Sequence, residues 1–308
     1  MHTRSIGSLS VSEVGVGCNN FGARLDQDQT TAVVLGALDA GVNFFDTADI
    51  YGGLESEMFL GRALGARRGE AVIASKFGVK YDQSGFDGSA EYVKWACEQS
   101  LTRLGTDYID LYQFHYPVGP TGAPIAETIG ALQELVAEGK VREIGCSNFS
   151  AQELSDAQAA AGDGPRFVSV QSQFSLLYRA PETDGVLDFC DANGVAFLPY
   201  YPLANGLLTG KVQPGQPIPE GTRLSLMPPE RAAHWTSDVL LGRVGDLLNH
   251  ADEIEIPILT LAFSWLLSHP SVASVIAGSS SAAQVAANAA AATTLTDEQV
   301  ALLNVLTA

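Results

Sequence analysis

The chain has 308 residues, 46% of them hydrophobic and 17% charged, which excludes a disordered polymer and suffices for one large core. Its 35 acidic residues against 17 lysines and arginines leave a net charge of −18. That balance makes nucleic acid and an anionic membrane poor partners, because neutralising phosphates takes dense cations. No apolar run approaches the ~20 residues of a membrane helix. The first residues, Met1-His2-Thr3-Arg4-Ser5-Ile6-Gly7, lack a secretory stretch, so a soluble cytoplasmic protein is expected. Cys18, Cys97, Cys146 and Cys190 stand far apart without a CxxC pair, so reduced thiols are expected rather than a disulfide scaffold or a zinc site. His2, His234, His250 and His269 lack metal-ligand spacing.

In chain order, eight short apolar runs are predicted as strands: 13–18, 42–46, 71–76, 108–115, 142–147, 167–173, 195–200 and 273–278. Several are almost continuous in apolar or β-branched residues, as parallel strands buried on both faces must be. Helical spacing follows at 28–40, 56–64, 89–104, 124–138, 151–160, 182–192, 237–249 and 282–290, with two further helices at 258–268 and 297–306. Gly41, Gly65, Gly105, Gly139 and Gly194 are placed to end helices in the left-handed conformation, and Ser89, Ser150 and Ser237 to cap them. Eight β-then-α units predict an α/β protein, one (β/α)₈ barrel domain over residues 1–308 with extra C-terminal helices. An open doubly wound sheet is the alternative. After the seventh strand the alternation is interrupted by 204–235, which holds Pro214, Pro217, Pro219, Pro228 and Pro229 and reads as a long loop, either a plain insertion or a ligand cover.

Barrel chemistry gathers where strands end. Asp46 closes the second run, Tyr51 lies five residues on, Lys76 closes the third run and His115 the fourth. Singly each has a bland explanation: a turn aspartate, a rim tyrosine, a solvated lysine, a bonded core histidine. Together on one rim they form an arrangement too costly in lost solvation to be idle. A tyrosine is protonated near pH 7, and an adjacent ammonium is expected to lower its pKa, making Tyr51 a general acid. Asp46 would hold Lys76 in place, and His115 would orient a carbonyl oxygen, a set suited to carbonyl reduction.

Three segments carry a family resemblance. They are Gly41-Val42-Asn43-Phe44-Phe45-Asp46-Thr47-Ala48-Asp49-Ile50-Tyr51-Gly52, the run from Leu101 through Asp107-Tyr108-Ile109-Asp110-Leu111-Tyr112-Gln113-Phe114-His115, and Gly139-Lys140-Val141-Arg142-Glu143-Ile144-Gly145-Cys146-Ser147-Asn148. With these the chain resembles the aldo-keto reductase superfamily over its whole length. The resemblance implies a (β/α)₈ TIM barrel and a catalytic tetrad of Asp46, Tyr51, Lys76 and His115. It implies an extended nicotinamide cofactor whose carboxamide is held by Ser147, Asn148 and Gln171 and whose ring stacks on Tyr200. It also implies that the loop from Leu203 through Gly206 to Lys211 covers the pyrophosphate, and that Gly278, Ser280, Gln284 and Asn288 meet the adenosine phosphate. The cofactor so implied is NADPH, with NADH the alternative, because no cation stands at Gly278, Ser280 or Gln284; Arg223 is the candidate to compensate. The substrate is expected to be a small-molecule aldehyde or ketone, with Phe21, Tyr116, Tyr201 and Trp235 as candidates for an apolar wall. A Rossmann or P-loop reading fails, since the run from Gly15 to Asn20 lacks the third glycine and the run from Gly206 to Val212 lacks the P-loop Ser/Thr. Two other functions fit the same residues: a Schiff-base lyase using Lys76, and a cofactor-sensing regulatory subunit like those of potassium channels.

Overall fold

The computed structural model describes residues 1–119 and 122–308. The chain opens with a hairpin that the periodicity did not reveal, β1 (Thr3–Ile6) paired antiparallel with β2 (Leu9–Ser12). Eight parallel strands follow: β3 (Val14–Gly17), β4 (Phe44–Asp46), β5 (Val72–Phe77), β6 (Ile109–Phe114), β7 (Val141–Ser147), β8 (Phe167–Gln173), β9 (Ala196–Tyr200) and β10 (Val275–Gly278). They pair in the order β10-β3-β4-β5-β6-β7-β8-β9. Phe197 on β9 pairs with Val272, just before β10, through backbone bonds of 2.7 and 3.0 Å, closing the sheet into the expected barrel.

The outer helices are α1 (Gln27–Asp39), α2 (Ser56–Leu64), α3 (Ala90–Leu104), α4 (Ile125–Ala137), α5 (Ala151–Ala161), α6 (Val186–Asn193), α7 (Pro229–Trp235), α8 (Asp238–Glu253), α9 (Ile258–Leu267), α10 (Ala282–Ala290) and α11 (Asp297–Leu306). Ser89, Ser150 and Ser237 each accept a backbone N–H of the first turn, as N-caps do. Three expectations change. The helix expected from 182 begins only at Val186, because Gly185 takes φ +85° and breaks the chain there. Gly65 ends α2 with positive φ but with ψ −122°, outside the left-handed helical region. Segment 204–235 is partly built: a 3₁₀ stretch at Ala204–Thr209 buries Leu207 and Leu208, and α7 lies at its end.

Two apolar cores result, since strand side chains alternate. One lies between sheet and helices. The other fills the lumen with Phe44, Ala74, Leu111, Leu198 and Ile276, plugged from below by Ile6, Leu9 and Val11 of the hairpin. This alternation positions the site. Two residues beyond the lumen residues Phe44, Ala74, Leu111 and Leu198 come Asp46, Lys76, Gln113 and Tyr200, so a polar layer caps an apolar one. Below, fully buried Asp110 is bonded by Arg68 and Arg142, each at 2.8 Å, which ties β6 to its neighbours.

Candidate active site

Lys76 is the centre of the polar layer. Its ammonium is fully buried and donates to both oxygens of Asp46 at 2.8 Å and to the Thr47 carbonyl at 2.9 Å, with the Tyr51 hydroxyl at 3.4 Å. A buried ion pair of this kind is tolerable only when every remaining hydrogen and lone pair is engaged. Asp46 approaches that condition at one oxygen, because Gln171 Nε2 and Gln113 Nε2 also donate to its Oδ1, at 2.7 and 3.3 Å. Gln113 is fully buried, and although it stands in the segment that ends at His115, the sequence assigned it no role. Only strand register, which sets it beside Lys76, brings it to the site.

Tyr51 opens a 3₁₀ turn (Tyr51–Leu54) whose Gly52 sits at φ +60°. A Cβ there would lie 2.1 Å from the Phe21 carbonyl oxygen, so this turn and the loop after β3 approach as closely as only glycine allows. That contact corrects one expectation: Phe21 is fully buried against the core and does not line the cleft. Trp235 is likewise packed on the core. Tyr116 and Tyr201 do line the cleft.

Burial and the Asp46 charge push the Tyr51 phenol well above its ordinary value. The lowering expected from Lys76 is outweighed, because desolvation and the Asp46 carboxylate both oppose the phenolate. His115 follows β6 directly, its N–H bonded to the Phe77 carbonyl at 2.9 Å, and its ring meets Tyr51 edge-on at 5.8 Å. Desolvation and Lys76 hold the imidazole well below its usual pKa, so it is neutral at pH 7. Its Nδ1 is buried without a partner among the described residues. An N–H is costlier to orphan than a lone pair, so the hydrogen belongs on Nε2.

Beyond β7 and β9 the backbone carries strain. Asn148 (φ +63°), Tyr201 (φ +52°) and Asn205 (φ +58°) occupy the left-handed region and all line the cleft. The Tyr200 hydroxyl donates to Asn148 Oδ1 at 2.9 Å. Asn148 Nδ2 donates to the His115 carbonyl and to Ser147 Oγ, both at 3.1 Å, and Ser147 Oγ donates to the Gln171 carbonyl at 2.8 Å. Asn148 thus spends both amide hydrogens inside the cluster while its Oδ1 keeps a second lone pair, and Gln171, which gives one hydrogen to Asp46, lines the cleft beside it.

The cleft has a volume of about 360 Å³ and runs from this cluster past Tyr200, Leu203, Gly206 and Lys211 to Gly278, Ser280 and Gln284. Ser280 and Gln284 bond each other, N–H and Oγ to Oε1, at 2.9 and 3.1 Å. Asn288 lies behind this wall, nearly buried and bonded to Ser279 at 3.1 Å. Arg223 lines the cleft but stacks on the Tyr201 ring at 4.9 Å and bonds its hydroxyl at 3.3 Å. Arg24, in the loop after β3, lines it as well and was not foreseen. Among the described residues, neither Arg24, Lys211 nor Arg223 has a carboxylate partner. Free cations converging on one cleft of a chain of net charge −18 mark a place for an anion.

The profile of the Aldo/keto reductase family matches residues 13–307. An uncharacterized oxidoreductase, YqkF, of Bacillus subtilis (strain 168) is 33% identical over 313 residues, covering 98% of this chain and 95% of the relative. The NADH-specific methylglyoxal reductase of Escherichia coli (strain K12) is 31% identical over 92% of this chain and 90% of its own. Among solved structures, the holo form of aldo-keto reductase AKR11C1 from Bacillus halodurans superposes with a TM-score of 0.79 at 34% identity, covering 99% of this chain and 96% of that one. A barrel with this polar upper layer thus matches the family's profile and its members over nearly its whole length, and the chain belongs to the aldo/keto reductase family.

Proposed function

We propose that the protein is an NAD(P)H-dependent reductase of aldehydes or ketones in which Tyr51 delivers the proton. The observation that carries this reading is the convergence of a locked Lys76–Asp46 pair, the Tyr51 hydroxyl at 3.4 Å and a neutral His115 at one end of the cleft. The residues fit a nicotinamide dinucleotide. Asn148 and Gln171 offer two acceptors to a carboxamide, Tyr200 offers a ring face, and the uncompensated Arg24 and Lys211 offer charge to phosphates. When bound, the reduced nicotinamide supplies a hydride to the carbonyl carbon.

His115 Nε2–H donates to the carbonyl oxygen and fixes its direction toward Tyr51. As negative charge develops on that oxygen, Tyr51 transfers its proton from Oη. Its raised pKa keeps that proton in place across neutral pH. The nearby ammonium then stabilises the phenolate left behind, which is a service to the transition state rather than to the resting enzyme. Asp46, Gln113 and Gln171 keep Lys76 from drifting.

NADPH is placed first, with Arg24 rather than Arg223 as the cation for its 2′-phosphate. Arg223 is held on Tyr201, whereas the loop bearing Arg24 is tied to the adenosine wall by Asn20 Nδ2 on the Ser279 carbonyl at 3.4 Å. NADH is the second cofactor, favoured by the uncharged Gly278, Ser280 and Gln284 and by the name of the Escherichia coli relative. The lyase reading is disfavoured, because an amine fully buried with three strong acceptors is no nucleophile. A carbonyl panel assayed in parallel with both reduced cofactors tests the proposal. Absence of turnover with every carbonyl overturns it and returns the field to a regulatory subunit.

A further inference from the structure

The Lys76 ammonium has three hydrogens and four oxygen acceptors around it. Both Asp46 oxygens stand at 2.8 Å and the Thr47 carbonyl at 2.9 Å, so at rest Tyr51, at 3.4 Å, is the acceptor left without a hydrogen. The carbonyl that takes the third one lies in a loop anchored by its backbone. Thr47 N–H donates to the Ala74 carbonyl at 2.8 Å and Asp49 N–H to the Lys76 carbonyl at 3.1 Å. These bonds fix the loop but leave the Thr47 carbonyl free to tilt.

The Thr47 side chain removes that freedom. Its hydroxyl lies 2.9 Å from that of Ser56, the first residue of α2, and Ser56 Oγ donates to the Cys18 carbonyl at 2.9 Å. A hydroxyl has one hydrogen, and Ser56 gives its own to Cys18, so Thr47 is the donor to Ser56. Cys18 N–H in turn donates to the Asp46 carbonyl at 2.8 Å. Cys18, Thr47 and Ser56 are fully buried, so this circuit from α2 through the loop after β3 to β4 runs without water. Removing either hydroxyl leaves a buried partner unsatisfied and unlocks the carbonyl.

We infer that Thr47 and Ser56 are positioning residues that hold the Thr47 carbonyl as a resting place for the third Lys76 hydrogen, released to Tyr51 only as the phenolate forms. The inference rests on the proposed role of Tyr51 as proton donor. A neutral phenol competes poorly with a carbonyl for an ammonium hydrogen. Once its proton has left for the substrate, its oxygen is anionic and draws the N–H across. With the carbonyl unlocked, Tyr51 receives that hydrogen earlier and holds its own proton less tightly. The other titratable groups around the pair are Asp46, Asp49, Cys18, His115, Tyr116, Tyr200 and Tyr201, and all of them are retained when Thr47 or Ser56 is replaced.

The test places difluorotyrosine at position 51, whose greater acidity brings the titration into a measurable range, and follows its fluorine NMR shift against pH without carbonyl or cofactor. Ser56→Ala and the shape-preserving Thr47→Val are each expected to lower the midpoint by about one pH unit. Thr47→Ser, which keeps the hydroxyl, should titrate with the wild-type midpoint. A merely structural pair would lower the melting temperature and leave the midpoint in place. An unchanged or raised midpoint in either variant that folds, or Thr47→Ser titrating like Thr47→Val, overturns the inference. Failure of the reductase reading shows elsewhere, because wild type would then oxidise neither NADPH nor NADH with any carbonyl, whatever the midpoints.

Discussion

At one end of the cleft, around β4, β5 and β6, the polar groups are buried and bonded to one another: Lys76 has three acceptors within 2.9 Å, and Asp46 takes hydrogens from three side chains. At the other end, formed by the loops after β3, β9 and β10, Arg24 and Lys211 are exposed, and the Gln284 side chain accepts only from Ser280. The first region has its charges matched before any ligand arrives; the second has charges left for a ligand to match. Preorganisation is worth most where charge moves during reaction, because nothing then has to reorient. Phosphate binding needs no such rigidity, since a fixed charge can be met by mobile arginines as well as by static ones.

The sharpest way to break this comparison is Tyr51→Phe, which removes the proposed proton donor and leaves the anion end intact. Carbonyl reduction should fall by roughly 10³-fold. Fluorescence titration of the reduced cofactor should still give a Kd within about twofold of wild type. A variant that retained the wild-type rate would falsify Tyr51 as the acid. Next in size, Gln113→Leu removes one donor from Asp46 with little change in volume. A hydrogen bond to a charged group is worth about 1.5 kcal/mol, so kcat should fall about tenfold with cofactor KM unchanged. If only the melting temperature moves, Gln113 is structural.

At the far end the expected split is the reverse. Arg24→Ala should raise KM for NADPH about fivefold, with less effect as salt is added and little on NADH or on kcat. Equal loss with both cofactors would move Arg24 from the 2′-phosphate to the pyrophosphate. The smallest effect on turnover is expected from Asp49→Asn, behind the rigid wall. Burial and Glu57 raise the Asp49 carboxyl to about 8, and neither of its oxygens has a hydrogen-bond partner among the described residues. The unfolded chain ionises from about pH 4 while the native state holds the proton, so wild-type stability should decline as pH rises from about 4 to about 8. Thermal melts of the Asn variant should lose most of that slope; an unaltered slope would assign it to another group.

Asp46, Tyr51, Lys76 and His115 could be read from the chain because each follows an apolar strand run within a few residues, and strand ends are local features. Gln113 could not, since nothing in its own segment says that its amide meets a carboxylate 67 residues away. Arg24 was missed as a cleft residue for a related reason: it sits in a loop whose neighbours come from other loops. Phe21 was misassigned because an aromatic near a strand end can turn toward ligand or core, and only the close contact of its carbonyl with Gly52 decides which.

What the amino-acid order determined by itself is short-range: the alternation of buried strand and amphipathic helix, the serine caps, and the two-residue step from a lumen hydrophobe to a polar side chain. Those follow from backbone geometry that repeats every 2 or 3.6 residues. Tertiary structure alone decided the closure of Phe197 on Val272, the direction of the Tyr51 pKa, and which cations remain free for an anion. Each of these depends on distance and desolvation between residues far apart in the chain, quantities that exist only once the barrel has closed.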